Sequence, residues 1–184
     1  MDIKDFKIFS NIPLIKTERL TLRKITKKDL EDVYRYASDE EVSKFLLWSP
    51  HKSREQTKLY LKNITAAYNR GEYFDWGIEY EGHIIGTVGF TTLDAINNKG
   101  EIGYVLSSEF WGKGIACEAA QAIIKFGFDV LMLERLEARF MIENKSSRRV
   151  LEKLGLKEEG VIRHGVFAKG KYRDICLYSI LSGE

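Results

Sequence analysis

The sequence predicts an α+β fold, a mixed sheet with helices on both of its faces. Three observations lead there. Two capped runs of helical period, starting after Thr26 and Ser53, precede a block of alternating apolar strands. Two tight turns, Glu81-Gly82 and Lys169-Gly170, sit between strand-like runs and mark hairpins. Between the hairpins lies a strand, a glycine-rich turn, a helix and a second strand, spanning residues 101–142.

Each element has a local reason. Thr26 and Asp29 form a capping box, and Leu30, Val33, Tyr34 and Ala37 follow at helical spacing. Ser53 and Gln56 open a second helix, whose inner face is Tyr60, Leu61, Ile64, Ala67 and Tyr68 and whose end is Gly71. Residues 74–80 and 84–93 read as a hairpin, and 99–106 as the next strand after an Asn97-Asn98 turn. Ile115, Ala119, Ala122, Ile123, Phe126 and Val130 line one face of a helix. Residues 136–142 read as a strand, 150–154 as helix, and 161–167 with 172–181 as a closing antiparallel pair. The expected order is β-α-α-β-β-β-α-β-α-β-β within one domain covering residues 1–184.

The turn Ser108-Glu109-Phe110-Trp111-Gly112-Lys113-Gly114-Ile115-Ala116-Cys117 carries the most functional information. A glycine-rich turn at a helix start leaves backbone N–H groups pointing outward at the positive end of the helix dipole, which suits a phosphate. The ATP-type loop does not fit, because the glycines are two apart with Lys113 between them. The dinucleotide fingerprint beginning at Gly112 would need glycine where Cys117 stands.

A second segment, Asn144 to Leu156 (NKSSRRVLEKLGL), follows the next strand. Together these two segments resemble the GNAT superfamily of acyl-CoA-dependent N-acetyltransferases, whose phosphate loop reads Q/R-x-x-G-x-G/A. Gly114 and Ala116 match it, and Trp111 stands in place of Gln or Arg. That replacement, the Thr17 to Arg23 opening (TERLTLR) and the Asp174 to Leu181 ending are similar to the ribosomal-protein N-terminal acetyltransferases, the Rim group.

The resemblance implies a mostly antiparallel sheet with a splayed pair of central strands. It also implies acetyl-CoA as co-substrate, with the pantetheine arm pairing as a mock strand against Tyr104, Val105 and Leu106. Backbone N–H groups of Trp111, Gly112, Lys113, Gly114, Ile115 and Ala116 would hold the pyrophosphate. Asn144 would bond the pantetheine, since an amide donates and accepts at once. Its alternative role is to cap the following helix, unless Ser146 or Ser147 does so.

Acetyl transfer needs a deprotonated amine, a stabilised carbonyl oxygen and a protonated leaving thiolate. The N–H of Val105 or Leu106 is expected at the oxygen. Glu101 is the candidate base, sharing a strand face with Gly103 and Val105, or else a solvated residue at a strand start. Many superfamily members place a Tyr seven residues after the Asn as thiolate donor, and Leu151 occupies that position here. The resemblance offers Ser147 instead, with solvent as the alternative. Cys117 reads as a small apolar helix residue rather than a nucleophile. His164 and Asp174 read as structural, and Phe45, Trp48 and Trp76 as acceptor-side or core aromatics.

Composition sets limits. The 184 residues carry 29 basic and 27 acidic side chains, a net charge of +2 that gives no case for a nucleic-acid partner. No apolar run approaches a membrane span. Two separated cysteines and three scattered histidines suggest neither a disulfide framework nor a metal site, so a reducing cytoplasmic setting is expected. The acceptor expected from the resemblance is a protein or peptide N-terminus. A small-molecule amine is the alternative, then a non-catalytic acyl-CoA-binding module. Monomer and homodimer both stay open.

Overall fold

A computed structural model describes Phe9 and residues 11–184. Its strands are β1 (Ile15–Lys16), β2 (Thr21–Arg23), β3 (Asp75–Tyr80), β4 (His83–Asp94), β5 (Lys99–Leu106), β6 (Arg135–Met141), β7 (Lys157–Ala168) and β8 (Lys171–Leu181). Its helices are α1 (Leu30–Ala37), α2 (Glu40–Ser43), α3 (Arg54–Arg70), α4 (Ile115–Asp129) and α5 (Lys145–Lys153). The strands form one sheet in the order β1-β2-β3-β4-β5-β6-β8-β7. All neighbours are antiparallel except β5 and β6.

The expected punctuation is present. Thr26 and Asp29 make the capping box, although it opens a 3₁₀ turn (Lys27–Asp29) that leads into α1. The Ser53 side chain caps α3, and Gly71 ends it at φ 70°. Residues 81–82 and 169–170 all have positive φ, the left-handed pair that two-residue hairpin turns require. Two elements exceed the sequence reading: the two-residue strand β1 and the single-turn helix α2, both too short for periodicity to reveal.

The sheet separates two apolar layers. On one face, α4 packs Ile115, Ala119, Ile123 and Phe126 against Trp76, Val88, Phe90 and Ile102. On the other, α1 and α3 pack Val33, Tyr36, Leu61 and Ile64 against Ile25 and Ile84, with Val105 at the edge of that group. Alternation along β5 therefore turns Ile102, Tyr104 and Leu106 toward α4, and Glu101, Gly103 and Val105 toward α1 and α3.

The parallel pair is where the sheet opens. Strands β5 and β6 are in register at Lys99–Arg135, Gly100–Leu136 and Glu101–Glu137, and no further. Beyond Glu101, β5 pairs only with β4, and beyond Glu137, β6 pairs only with β8. The two central strands splay, as the resemblance implied.

Candidate active site

The splay opens a cleft of about 800 Å³, within the range of small-molecule sites. Its walls come from the end of β5, the turn before α4, the first turns of α4 and α5, and residues 41–46 around α2. Of the residues expected to hold the co-substrate, Tyr104, Val105, Leu106, Trp111, Gly112, Gly114, Ile115, Ala116 and Asn144 all line it, as does Ser147. Lys113 and Glu101 do not.

At the α4 end the backbone forms a cradle. Gly112 and Gly114 both sit at φ 76°, a left-handed conformation that side chains with a β-carbon adopt only at a cost. Gly114 is the N-cap of α4 and supplies no capping side chain. The first backbone bond of the helix runs from Glu118 N to Gly114 O at 3.1 Å. Among the described residues, the N–H groups of Gly112 through Cys117 donate to no backbone carbonyl, so they point outward as a set.

One expectation for this loop is corrected. The Trp111 N–H is not free for an anion, because it donates to Ser108 O at 3.2 Å in the preceding 3₁₀ turn. The Lys113 Nζ lies 4.9 Å from the Phe110 ring centroid, and its backbone N–H stays in the outward set.

The free edge of β5 can be read from its register. Ser107 N donates to Ile85 O at 2.8 Å, and antiparallel bonds alternate, so residues 105 and 107 turn their polar groups to β4. Tyr104 and Leu106 turn theirs into the splay. The Val105 N–H, expected as a donor to the carbonyl oxygen, is thus engaged by the sheet, and Tyr104 N–H and Leu106 N–H take its place. The Leu106 carbonyl is already occupied by Trp111 Nε1 at 2.9 Å.

Asn144 is the N-cap of α5, its Oδ1 accepting from Ser147 N at 3.1 Å. The capping role therefore belongs to Asn144 and not to a serine. Its Nδ2 makes no hydrogen bond among the described residues and remains available on the cleft wall. The Tyr104 hydroxyl donates to Ser147 O at 3.4 Å, and desolvation pushes its pKa up to about 12. Leu151 is core, 1% exposed, so no acid stands at that position.

On the other face, Glu101 occupies the last paired position before the splay, 19% exposed. Desolvation raises its pKa, opposed by Arg139, whose Nε lies 3.6 Å from the carboxylate. Arg139 also reaches Glu137 at 3.2 Å. Three residues separate Glu101 from Tyr104, roughly 10 Å along a strand. The carboxylate therefore lies outside the cleft lining and out of contact with the free edge at Tyr104.

Other aromatic and hairpin candidates separate. Phe45 lines the cleft beside Leu46, while Trp48 packs at the margin of the α1–α3 group. Trp76 is fully buried in the α4 layer, with Nε1 donating to Pro13 O at 2.7 Å, and takes no part in the acceptor side. Asp174 accepts from His164 N at 2.8 Å and both belong to the hairpin. Cys117 is a half-buried residue of the first turn of α4 that lines the cleft.

Some of the lining was not foreseen. Glu41 and Lys44 belong to or adjoin α2, a single turn that no periodicity marks. Arg149 and Lys153 project from α5 one turn apart, and that spacing was visible in the sequence. No helix among the described residues is long and apolar enough to cross a membrane. Nor do those residues hold a group of three or more His, Cys, Asp or Glu suited to a metal ion.

Comparison with known proteins agrees with this geometry. A family model described as an acetyltransferase (GNAT) domain matches residues 19–157. The N-acetyltransferase p20 of Bacillus licheniformis is 36% identical over 170 residues, 91% of this chain and 96% of that one. A crystal structure of a GNAT-family acetyltransferase from Bacillus anthracis superposes with TM-score 0.83 at 31% identity, covering 94% of this chain and 100% of that one. Two likenesses are more distant. The spermidine N(1)-acetyltransferase of Escherichia coli (strain K12) is 28% identical over 85% of this chain and 84% of that one. A structure of RimL, an L7/L12 α-N-protein acetyltransferase with coenzyme A, shares the fold alone, at TM-score 0.79 and 21% identity over 92% of this chain and 98% of that one. With a splayed sheet, a glycine cradle and a family model matching most of its length, the chain belongs to the GNAT acetyltransferase family.

Proposed function

We propose that the protein transfers the acetyl group of acetyl-CoA to the N-terminal α-amine of a protein or peptide. The observation that carries the co-substrate is the joining of the outward N–H groups of residues 112–117 and the unpaired edge of β5 in one cleft. A diphosphate fits the first, and an amide-bearing arm fits the second.

The chain's own residues account for each step. Tyr104 N–H and Leu106 N–H face the splay and stabilise the thioester oxygen as it gains charge. Glu101, its pKa raised by burial, takes the ammonium proton through water on the α1–α3 face. The amine nitrogen then bonds to the carbonyl carbon, the C–S bond breaks, the nitrogen gives up its further proton to water to become the neutral amide, and the thiolate leaves. The Tyr104 phenol holds its proton to about pH 12, well above a thiol of about 8.5. Ser147 thus serves as the hydrogen-bond donor to the departing sulfur, the Tyr104 hydroxyl being held on the Ser147 carbonyl, and water supplies the proton.

The acceptor follows from the weak, indirect base. An α-amine of pKa near 8 is roughly 10% unprotonated at neutral pH, and a lysine amine is below about 0.1%. An enzyme whose carboxylate works through water is therefore better matched to an α-amine. A spermidine-like acceptor is less well matched, because its further positive charges would meet Arg139 beside Glu101. The setting proposed is the cytoplasm, where acetyl-CoA and nascent chains occur together.

A panel of acceptors tests this. Peptides with free Ala or Ser N-termini are expected to release CoA thiol far faster than blocked peptides with an internal Lys, and faster than spermidine. Equal rates on all three, or turnover confined to spermidine, would overturn the α-amine reading. Absence of thiol release with every amine would favour an acyl-CoA-binding module.

A further inference from the structure

The TERLTLR opening resembles a subgroup pattern, yet nothing in the mechanism uses it. The structure gives it a place. Residues Thr17 to Leu20 form a tight turn between β1 and β2, closed by Thr17 N to Leu20 O and Leu20 N to Thr17 Oγ1, both 3.0 Å. That turn docks on the first turn of α4, about a hundred residues away in sequence. Glu118 is the anchor: its Oε1 accepts from Thr17 Oγ1 at 2.6 Å and from Arg19 N at 2.8 Å, and its Oε2 from Arg19 Nε at 2.6 Å. Those donors outweigh desolvation and hold the carboxyl below its usual range.

Arg19 then reaches past the helix to the cradle. Its Nη1 donates to the carbonyl of Lys113 at 3.0 Å. A trans peptide is planar, so its C=O and N–H point in opposite directions. Fixing the Lys113 carbonyl toward Arg19 thereby aims the Gly114 N–H the other way, as part of the outward set. The remaining nitrogen, Nη2, makes no hydrogen bond among the described residues and lies 3.6 Å from where a Gly114 β-carbon would be. Arg19 thus stands behind the cradle, half-exposed and paired with Glu118, outside the residues that line the cleft.

We propose that Arg19 is a positioning residue for the diphosphate cradle: clamped by Glu118, it holds the Lys113 carbonyl and so orients the 113–114 peptide. The inference rests on the co-substrate reading above, and it concerns the diphosphate alone, not the pantetheine or the adenosine 3′-phosphate. Lysine cannot replace it, because only the planar fork reaches Glu118 and the Lys113 carbonyl at once.

Binding to three ligands tests the assignment without any acceptor. CoA and dephospho-CoA carry the diphosphate, and pantetheine lacks it. Calorimetry serves for the first two and ligand-observed NMR for the third. In R19A, Kd for CoA and for dephospho-CoA is expected to rise by the same factor, roughly 10-fold or more, as for loss of a charge-assisted hydrogen bond. Pantetheine binding is expected to stay within twofold. R19K should recover little of the loss, and E118Q, which loosens the clamp while keeping the arginine, should show part of it. Unchanged CoA affinity in R19A overturns the proposal, as does an equal loss on all three ligands, which would make Arg19 a general prop. If the unaltered protein binds CoA no more tightly than pantetheine, the cradle reading itself fails, a result distinct from either.

Discussion

The two sides of the splay are made of different materials. On the α4 side the cleft is defined by backbone: the N–H groups of residues 112–117 and the open edge at Tyr104 and Leu106. On the α1–α3 side the surface is defined by side chains: Glu101 against Arg139, and farther along the sheet Asp75 beside Tyr73. A backbone site depends on a few glycines and a helix start, and it tolerates change elsewhere. A side-chain site changes with every substitution. One ligand common to a family suits the first kind, and varied acceptors suit the second.

The largest expected effect breaks the first side alone. Gly114→Val forces a β-branched residue to φ 76° beside Arg19, and CoA affinity should fall on the order of 10- to 100-fold. On the other side, a β-carbon at Gly103 meets only the end of the Thr91 side chain, at 2.8 Å. Gly103→Ala should therefore leave the CoA Kd unchanged and raise the acceptor KM. Calorimetry showing equal CoA loss in both variants would erase the distinction between the two sides.

A middle-sized effect sharpens the acceptor side. Burial raises the pKa of Glu101, so kcat/KM should fall as pH drops through that value, above the usual carboxylate range. Glu101→Gln should remove this acidic limb and lower kcat/KM by roughly 10- to 100-fold, at or below the low end for a direct base. A pH profile with the limb intact in the variant would assign it to another group.

The legibility of the chain follows the same division. Gly112, Gly114, the Gly71 stop and the hairpin turns were readable, because each demands a backbone conformation that few residues adopt. The splay was readable only through family likeness, since no local pattern says where two parallel strands part. The Asn144 cap was left as an alternative and the Val105 bond to β4 was missed for one reason: each depends on which partner wins among several within reach. Arg19 was hidden because its partners, Lys113 and Glu118, lie about a hundred residues away. Glu101 was legible as a carboxylate on the correct strand face, but its distance from the cleft was not.

The smallest expected effect concerns stability. Asp75, beside Tyr73, has its pKa raised by desolvation to about 7. The folded state therefore holds a proton that the unfolded chain releases near pH 4, and stability falls as pH rises from about 4 to 7. Asp75→Asn should raise Tm by several degrees at pH 8, with the gain vanishing near pH 4. Scanning calorimetry at the two pH values checks it, and an equal shift at both would show that the charge is irrelevant.

The indole of Trp111 has a consequence for solubility. A strand with one unpaired side is a template for other chains, and β5 presents such a side in the middle of the sheet. Trp111 Nε1 takes the Leu106 carbonyl and stops the free edge there, while the pairing of Glu101 with Glu137 stops it at the other end. What is left is about five residues long, a short stretch of open edge closed at both ends. An added strand would find its ladder capped at each end of this gap.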